Sequence, residues 1–260
     1  MNFLDLIYIS KSVLLALAIK KRTPLIVSWH ITYRCNLRCR YCGFWENSME
    51  ELDTQSVFKI IDQLASSGTK FIIFTGGEPL LRQDLSEIIE YCKLKDIYVS
   101  INSNGVLIKE QFHKIKQVDS IKLSLDGSME INDSVRGFGA YDKVIEALRI
   151  CKDNGIDTSI TTVISSSNVS YIMQILEIAK KYQVGVYFKP ADKNNCGNNK
   201  NDILSEVPDI NKYKKAIRLL IESKAKGNDL IKNSIRGLEY LYSSRAKKNL
   251  LFNELDFMLY

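Results

Sequence analysis

Short apolar, β-branched runs alternate with helix-period runs along most of the chain. The stretches 25–31 (LIVSWHI), 70–75 (KFIIFT), 97–102 (IYVSIN), 120–125 (SIKLSL), 157–164 (DTSITTVI) and 184–189 (VGVYFK) read as strands. Between them, apolar residues recur at helical spacing over 54–66, 84–95, 108–117, 141–153 and 168–182. Asp53 or Thr54 is placed to cap the first of these helices, Gly68 and Gly155 to end the first and fourth, and Asn168 to open the fifth. Six βα units in a row predict an α/β fold of parallel strands joined by helical crossovers. A closed barrel needs eight such units, so six predict a partial (βα)6, TIM-like barrel, with an open parallel sheet as the other arrangement. Two more helices are expected over 209–225 and 228–248. The chain then divides into an N-terminal helix (1–24), a barrel core (25–190) and a lid-like loop with C-terminal helices (191–260).

The ends of the chain modify this picture. Residues 3–19 are apolar, but the basic cluster Lys20-Lys21-Arg22 follows them instead of preceding them, Asp5 and Lys11 interrupt them, and no small-residue cleavage site is present. The segment is also shorter than the roughly 20 apolar residues of a membrane span. It reads as an amphipathic helix docked on the body, with peripheral membrane contact through 3–22 as the secondary reading. Without an export signal the expected location is the cytoplasm, where clustered thiols mean metal sooner than disulfide. The stretch 190–208 (PADKNNCGNNKNDILSEVP) is the most loop-like and is expected to be a mobile lid. The apolar end LLFNELDFMLY reads either as a plug for the barrel or as the point where a longer protein was cut.

Composition adds little. The chain is 45% hydrophobic and 25% charged, as a globular protein with a core should be. The net charge of +6 is concentrated between 209 and 248, where eleven Lys and Arg face four acids. This reads as a solvated outer helix face, and no nucleic-acid partner is expected.

The chemistry lies where the polar motifs fall. TYRCNLRCRYC follows the first strand, GGEP (76–79) the second and NSNG (102–105) the third; SLDG (124–127) ends the fourth and SSSN (165–168) follows the fifth. All sit at the carboxyl ends of strands, the face on which parallel α/β folds build their sites. The opposite strand ends carry plain stops such as SSGTK and NGID. Cys35, Cys39 and Cys42 form C-x3-C-x2-C, three of the six cysteines within eight residues. Buried unligated thiols fit poorly beside Arg34, Arg38 and Arg40. Zinc could use the three with His30 or Cys92 as a fourth ligand, although a second C-x2-C pair is missing. An iron–sulfur cubane held by three cysteines, one short of the usual four, leaves one iron open to an external ligand. Cys92 and Cys151 fall in helical patterns and read as core thiols; Cys196 reads as a loop thiol.

C-x3-C-x2-C with Tyr41 before the third cysteine, followed by GGEP, SLDG and RGFG (136–139), resembles the radical S-adenosylmethionine (radical SAM) superfamily over roughly 25–190. The likeness is to the subgroup of peptide maturases and cofactor-biosynthesis enzymes, here without the C-terminal cysteine-rich region for auxiliary clusters. The resemblance implies that Cys35, Cys39 and Cys42 hold a 4Fe-4S cluster whose fourth iron is chelated by S-adenosylmethionine. It places the methionyl amine on Gly76, Gly77, Glu78 and Pro79, and the ribose or carboxylate on Ser124 and Asp126. Asn102 and Asn104 would point into the same cavity and Arg136 would pair with the carboxylate, with Tyr41 and Val163 flanking adenine. A glycine-bearing adenine motif of many relatives is missing from TTVISSSN. The implied activity is reductive cleavage of the cofactor to a 5′-deoxyadenosyl radical that abstracts hydrogen from a peptide, a small metabolite or cofactor precursor, or a lipid. A one-electron donor such as flavodoxin or ferredoxin is implied as partner. The competing reading is a zinc- or cluster-binding module without catalysis.

Overall fold

The computed structural model describes residues 24–47, 49–191 and 206–244. Six strands, β1 (Ile26–Thr32), β2 (Phe71–Gly76), β3 (Tyr98–Ser103), β4 (Ser120–Ser124), β5 (Asp157–Ile164) and β6 (Gly185–Pro190), form one sheet in sequence order. Every neighbouring pair is parallel. The connections carry α1 (Thr54–Ser67), α2 (Leu85–Leu94), the short α3 (Ile108–Gln111), α4 (Met129–Arg136), α5 (Ala140–Asp153) and α6 (Gln174–Tyr182). Helices α7 (Ile210–Ala225) and α8 (Ile235–Ser244) follow. Among the described residues no helix is long and apolar enough to cross a membrane.

Local chemistry explains most boundaries. The Asp53 carboxylate accepts a hydrogen bond from the Ser56 amide and caps α1, a contact worth about 1 kcal/mol. Gly68 ends the helix at φ 95°, a left-handed conformation that glycine takes without a Cβ penalty. Asp209 caps α7 in the same manner as Asp53. The basic stretch lies, as a solvated face would, with Lys212, Lys215 and Arg218 exposed and Tyr213, Ala216, Ile217 and Leu220 buried.

Three expectations are corrected. Residues 168–173 are turns and α6 starts only at Gln174. Asn168 caps no helix: it is buried, accepts from the Ser165 amide and donates to the carbonyls of Asp126 and Val163. Residues 230–233 are not helical but extend the sheet. The Val186 amide donates to Leu230 and the Lys232 amide to Val186, while the Asn233 side chain pairs with both backbone groups of Phe188. The edge of β6 is therefore covered along Val186 and Phe188. The lid stretch 192–205 with Cys196, the 3–19 helix and the tail 245–260 lie outside the described residues. The flanks of 192–205 are held: Ala191 donates to Ile164, and Glu206 is buried.

The two faces of the sheet differ in character. Toward the helices point Ile72, Phe74, Val99, Ile101, Leu123 and Phe188, all buried in one core with Val57, Ile61, Ile88 and Leu148. Each such side chain contributes about 1.5–3 kcal/mol when buried. The other face is polar. Register aligns His30 with Thr75, Asn102 with Lys122 and Ser159, and Ser124 with Thr161 and Tyr187, with Lys189 beside Val163 nearer the strand ends. Lys122 reaches past β5 to lie 4.3 Å from the Tyr187 ring centre on this face.

Candidate active site

The cysteine loop leaves β1 at Thr32, where a register shift sets Thr32 opposite Gly76. The loop is held on several sides. The Gly77 and Glu78 amides donate to the carbonyls of Thr32 and Arg34, both at 2.8 Å. Arg34 forks onto the Glu51 carboxylate at 2.7 and 3.0 Å, and Thr32 also bonds Glu51. Phe44 stacks on Tyr33 and meets His30 edge-on. Arg38 lies over Trp45 and donates to Cys35 O, while the indole N–H donates to Cys42 O. The Arg40 amide donates to Val135 at the end of α4, and its guanidinium pairs with buried Glu206 at 2.9 Å.

All three cysteines of the loop are half-buried and unbridged. Burial raises each thiol pKa, that of Cys39 to about 12, with the Arg136 charge opposing. The thiols feel one another's charge, yet among the described residues no three His, Cys, Asp or Glu side chains converge on one metal ion. A cubane distributes three thiolates over three irons and does not need that convergence. Cys92 is buried in the core on α2, as is Cys151 on α5, and neither lies on the loop.

The GGEP segment works through backbone contact. A Cβ on Gly77 would lie 2.1 Å from Arg34 O, and one on Gly76 2.2 Å from Thr32 O. Glycine here lets strand β2 touch the cysteine loop. Glu78 is fully buried and has its oxygens engaged: Oε1 accepts from Ser103 Oγ and the Leu80 amide, Oε2 from the Asn104 amide. Through these bonds it braces β2 against β3. Burial pushes its carboxyl up to about 7. Pro79 opens a 3-10 turn over Pro79–Leu81. Asn104 spends Oδ1 on the Val106 amide and donates to Asn36, a residue of the cysteine loop.

Tyr41, Asp126 and Arg136, expected to meet the cofactor separately, are joined to each other. Asp126 Oδ2 accepts from the Tyr41 hydroxyl at 2.7 Å and from Arg136 Nε at 2.8 Å, and Arg136 also donates to the Tyr41 oxygen. The second Asp126 oxygen accepts from the Val163 amide. Burial acts to lower the Arg136 pKa, but the charge of Asp126 and the proximity of Tyr41 and Cys39 more than offset it, so it rises. Burial raises that of Tyr41. This knot fastens the loop to the ends of β4 and α4. Ser124 and Val163 stand on the inner face, and Asn102 Oδ1, Thr161 Oγ1 and Ser165 Oγ are buried with no partner among the described residues. Orphaned polar atoms around a cavity mouth mark where a ligand would complete the hydrogen bonding.

The family model for the Radical SAM superfamily matches residues 29–179. The chain belongs to the radical SAM superfamily. It is 37% identical to the Fe-coproporphyrin III synthase of Methanosarcina barkeri over 172 residues, 64% of this chain and 43% of that relative. To mycofactocin maturase MftC of Mycolicibacterium smegmatis it is 33% identical, over 61% of this chain and 42% of that one. The chain thus spans less than half the length of the curated relatives it matches. Streptococcus suis SuiB bound to precursor peptide SuiA superposes with a TM-score of 0.70 at 17% identity, over 96% of this chain and 58% of SuiB, which shows the shared partial-barrel fold. Radical SAM proteins use a 4Fe-4S cluster and S-adenosylmethionine. The residues present fit both groups: three thiols on one braced loop, glycines that keep the next strand end against it, and polar atoms across the mouth without partners among the described residues.

The residues missed by sequence reasoning are those that tie motifs together. Glu51 and Asn36 carry no motif signature. Glu206 sits in a stretch read only as loop. Lys122, Thr161 and Lys189 do carry a signal, the alternation of polar residues along strands that would otherwise be apolar throughout.

Proposed function

We propose that this chain is a radical SAM enzyme in which Cys35, Cys39 and Cys42 bind a 4Fe-4S cluster and the substrate occupies the polar concave face of the barrel. The supporting observation is the hydrogen-bonded seam between GGEP and the cysteine loop, directly above that face. When bound, the cluster and S-adenosylmethionine supply a 5′-deoxyadenosyl radical, given one electron from a donor such as flavodoxin or ferredoxin. The chain's own residues position and shield. Glu78, Ser103 and Asn104 fix the β3 loop against Cys35 and Asn36. The Tyr41–Asp126–Arg136 knot fixes the other side of the loop and leaves Ser124, Asn102 and Thr161 to meet the ligands. The concave wall excludes bulk water from a reactive carbon radical. The names of the relatives, a porphyrin synthase and a peptide-derived cofactor maturase, support a cofactor precursor or a peptide as substrate, ahead of a lipid.

Anaerobic reconstitution followed by iron and sulfide analysis should give about four of each per chain, with 5′-deoxyadenosine released on dithionite reduction. The triple variant Cys35→Ala, Cys39→Ala, Cys42→Ala should stay folded, because the core lies on the other side of the sheet, yet be colourless and inactive. A reconstituted protein that carries the cluster and releases no 5′-deoxyadenosine would reduce the assignment to a cluster-binding module.

A further inference from the structure

The concave face carries two ammonium groups that the fold itself does not neutralise. Lys122 projects from β4 and Lys189 from β6, and no carboxylate forms an ion pair with either among the described residues. Lys122 is half-buried against the Tyr187 ring, and burial lowers its pKa despite Asp157. Lys189 is exposed at the surface of the concavity, but the surrounding protein, and then the charge of Lys122, bring its pKa down to about 8. Exposure together with crowding by protein atoms describes a group in the wall of a cleft. Two like charges that disfavour one another, in a partly desolvated wall, cost stability.

The hydrogen-bonding deficit lies on the same wall. Asn102 is opposite Lys122 in the β3–β4 register and Thr161 is opposite Tyr187 in the β5–β6 register; Asn102 Oδ1 and Thr161 Oγ1 are both buried and without a partner among the described residues. The strand amides here are spent on the sheet, so the strands offer side chains to this wall. Spaced ammonium groups with an amide and a hydroxyl suit carboxylates.

We propose that Lys122 and Lys189 bind the carboxylate groups of the substrate, with Asn102 and Thr161 completing its hydrogen bonds. The substrate class is therefore an acid: a small polycarboxylic molecule or an acidic peptide segment. This rests on the radical SAM reading above and names the substrate chemistry of the same cavity.

The test is lysine acetylation followed by peptide mass spectrometry on the full chain carrying cluster and S-adenosylmethionine, at pH 7. Glutarate, tetraglutamate, their uncharged counterparts glutaramide and tetraglutamine, and inorganic phosphate are the probes. Bound carboxylate that raises the Lys189 pKa by about one unit slows its labelling about tenfold. Glutarate or tetraglutamate should do so at Lys189 and Lys122 while exposed Lys212 is unaffected; protection by the first alone indicates a small acid, by the second alone a peptide. Lys122→Met and Lys189→Met should abolish carboxylate protection at the remaining lysine and raise the melting temperature of the unliganded protein, because an unpaired charge has been removed. The proposal is overturned if neither carboxylate protects, if phosphate protects better, if adding S-adenosylmethionine alone accounts for the protection, or if both variants melt lower. Release of 5′-deoxyadenosine without substrate tests the enzyme reading separately, so the two can fail independently.

Discussion

Replacing Gly77 with alanine should damage the cluster site before it damages anything else. The added Cβ would lie 2.1 Å from Arg34 O, 2.6 Å from Arg34 C and 2.7 Å from Tyr33 O. These are backbone atoms of the cysteine loop and have no rotamer to swing away. Reaching ordinary contact at 3.4 Å requires a separation of at least about 1.3 Å between β2's end and the loop, the difference between those two distances. That movement breaks the two 2.8 Å hydrogen bonds from the Gly77 and Glu78 amides, worth about 1 kcal/mol each, and adds an overpacking cost of about 1–3 kcal/mol. The helical core does not feel it. The variant should therefore fold, melt a few degrees lower, and either hold less iron after reconstitution or hold a cluster whose EPR signal no longer responds to S-adenosylmethionine. Gly155→Ala is the control: its φ of +75° is strained for alanine, but a Cβ there meets nothing within 4 Å, so it should lose stability and keep the cluster. A Gly77→Ala protein with wild-type iron and a wild-type EPR shift would show that the seam does not position the loop.

Glu78→Gln should alter how stability depends on pH. Because burial lifts the Glu78 carboxyl to about 7 in the folded chain, the folded state binds its proton more tightly than the unfolded state, whose carboxyl titrates near 4.3. Stability from this group is present at low pH and is lost as pH rises between those values. The wild-type melting temperature should fall relative to the variant's from pH 5 to pH 8, and parallel profiles would contradict the burial argument. Arg136→Met leaves Asp126 buried beside Tyr41 without its cation and should cost about 3–5 kcal/mol in denaturant unfolding. A loss under 1 kcal/mol would mean that the ion pair, at 2.8 Å with 6% and 0% exposure of its side chains, is not what holds the knot.

The strands and most helices could be read from the sequence because their signals are local. Alternation and turn residues placed all six strands within about one or two residues of their observed ends. Asp53 and Gly68 marked α1 by cap chemistry that needs no tertiary context. The misreadings occur where tertiary pairing overrides a local pattern. Residues 230–233 follow helix-compatible spacing, yet Asn233 satisfies the exposed edge of β6 and pulls them into the sheet. Asn168 reads as a helix cap, yet its amide fits between two buried carbonyls that a solvent-facing cap would leave unpaired. Helix α4 went unread because SMEINDSVR is short and rich in weak helix formers; Asp133 caps the next turn by accepting from the Gly139 and Tyr141 amides.

The site was legible as a set of motifs and not as a mechanism of support. GGEP, NSNG and SLDG could be placed at strand ends, but their charged residues were assigned outward, to the cofactor. The geometry also joins them to one another within the fold. A carboxylate buried at a strand end is costly unless several donors engage it, and Glu78 and Asp126 have three each. Each therefore ties two βα connections together, and both ties reach the cysteine loop: Glu78 through Asn104 to Asn36, Asp126 through Tyr41. A loop carrying three thiolates cannot be ordered by its own short segment, since its backbone forms no regular structure beyond one turn of 3-10 helix over Phe44–Glu46. Order has to be imported from neighbouring strands, and the buried acids of the motifs are the means. What then remains for ligands on the concave side are polar atoms such as Asn102 Oδ1 and Thr161 Oγ1, which have no partner among the described residues.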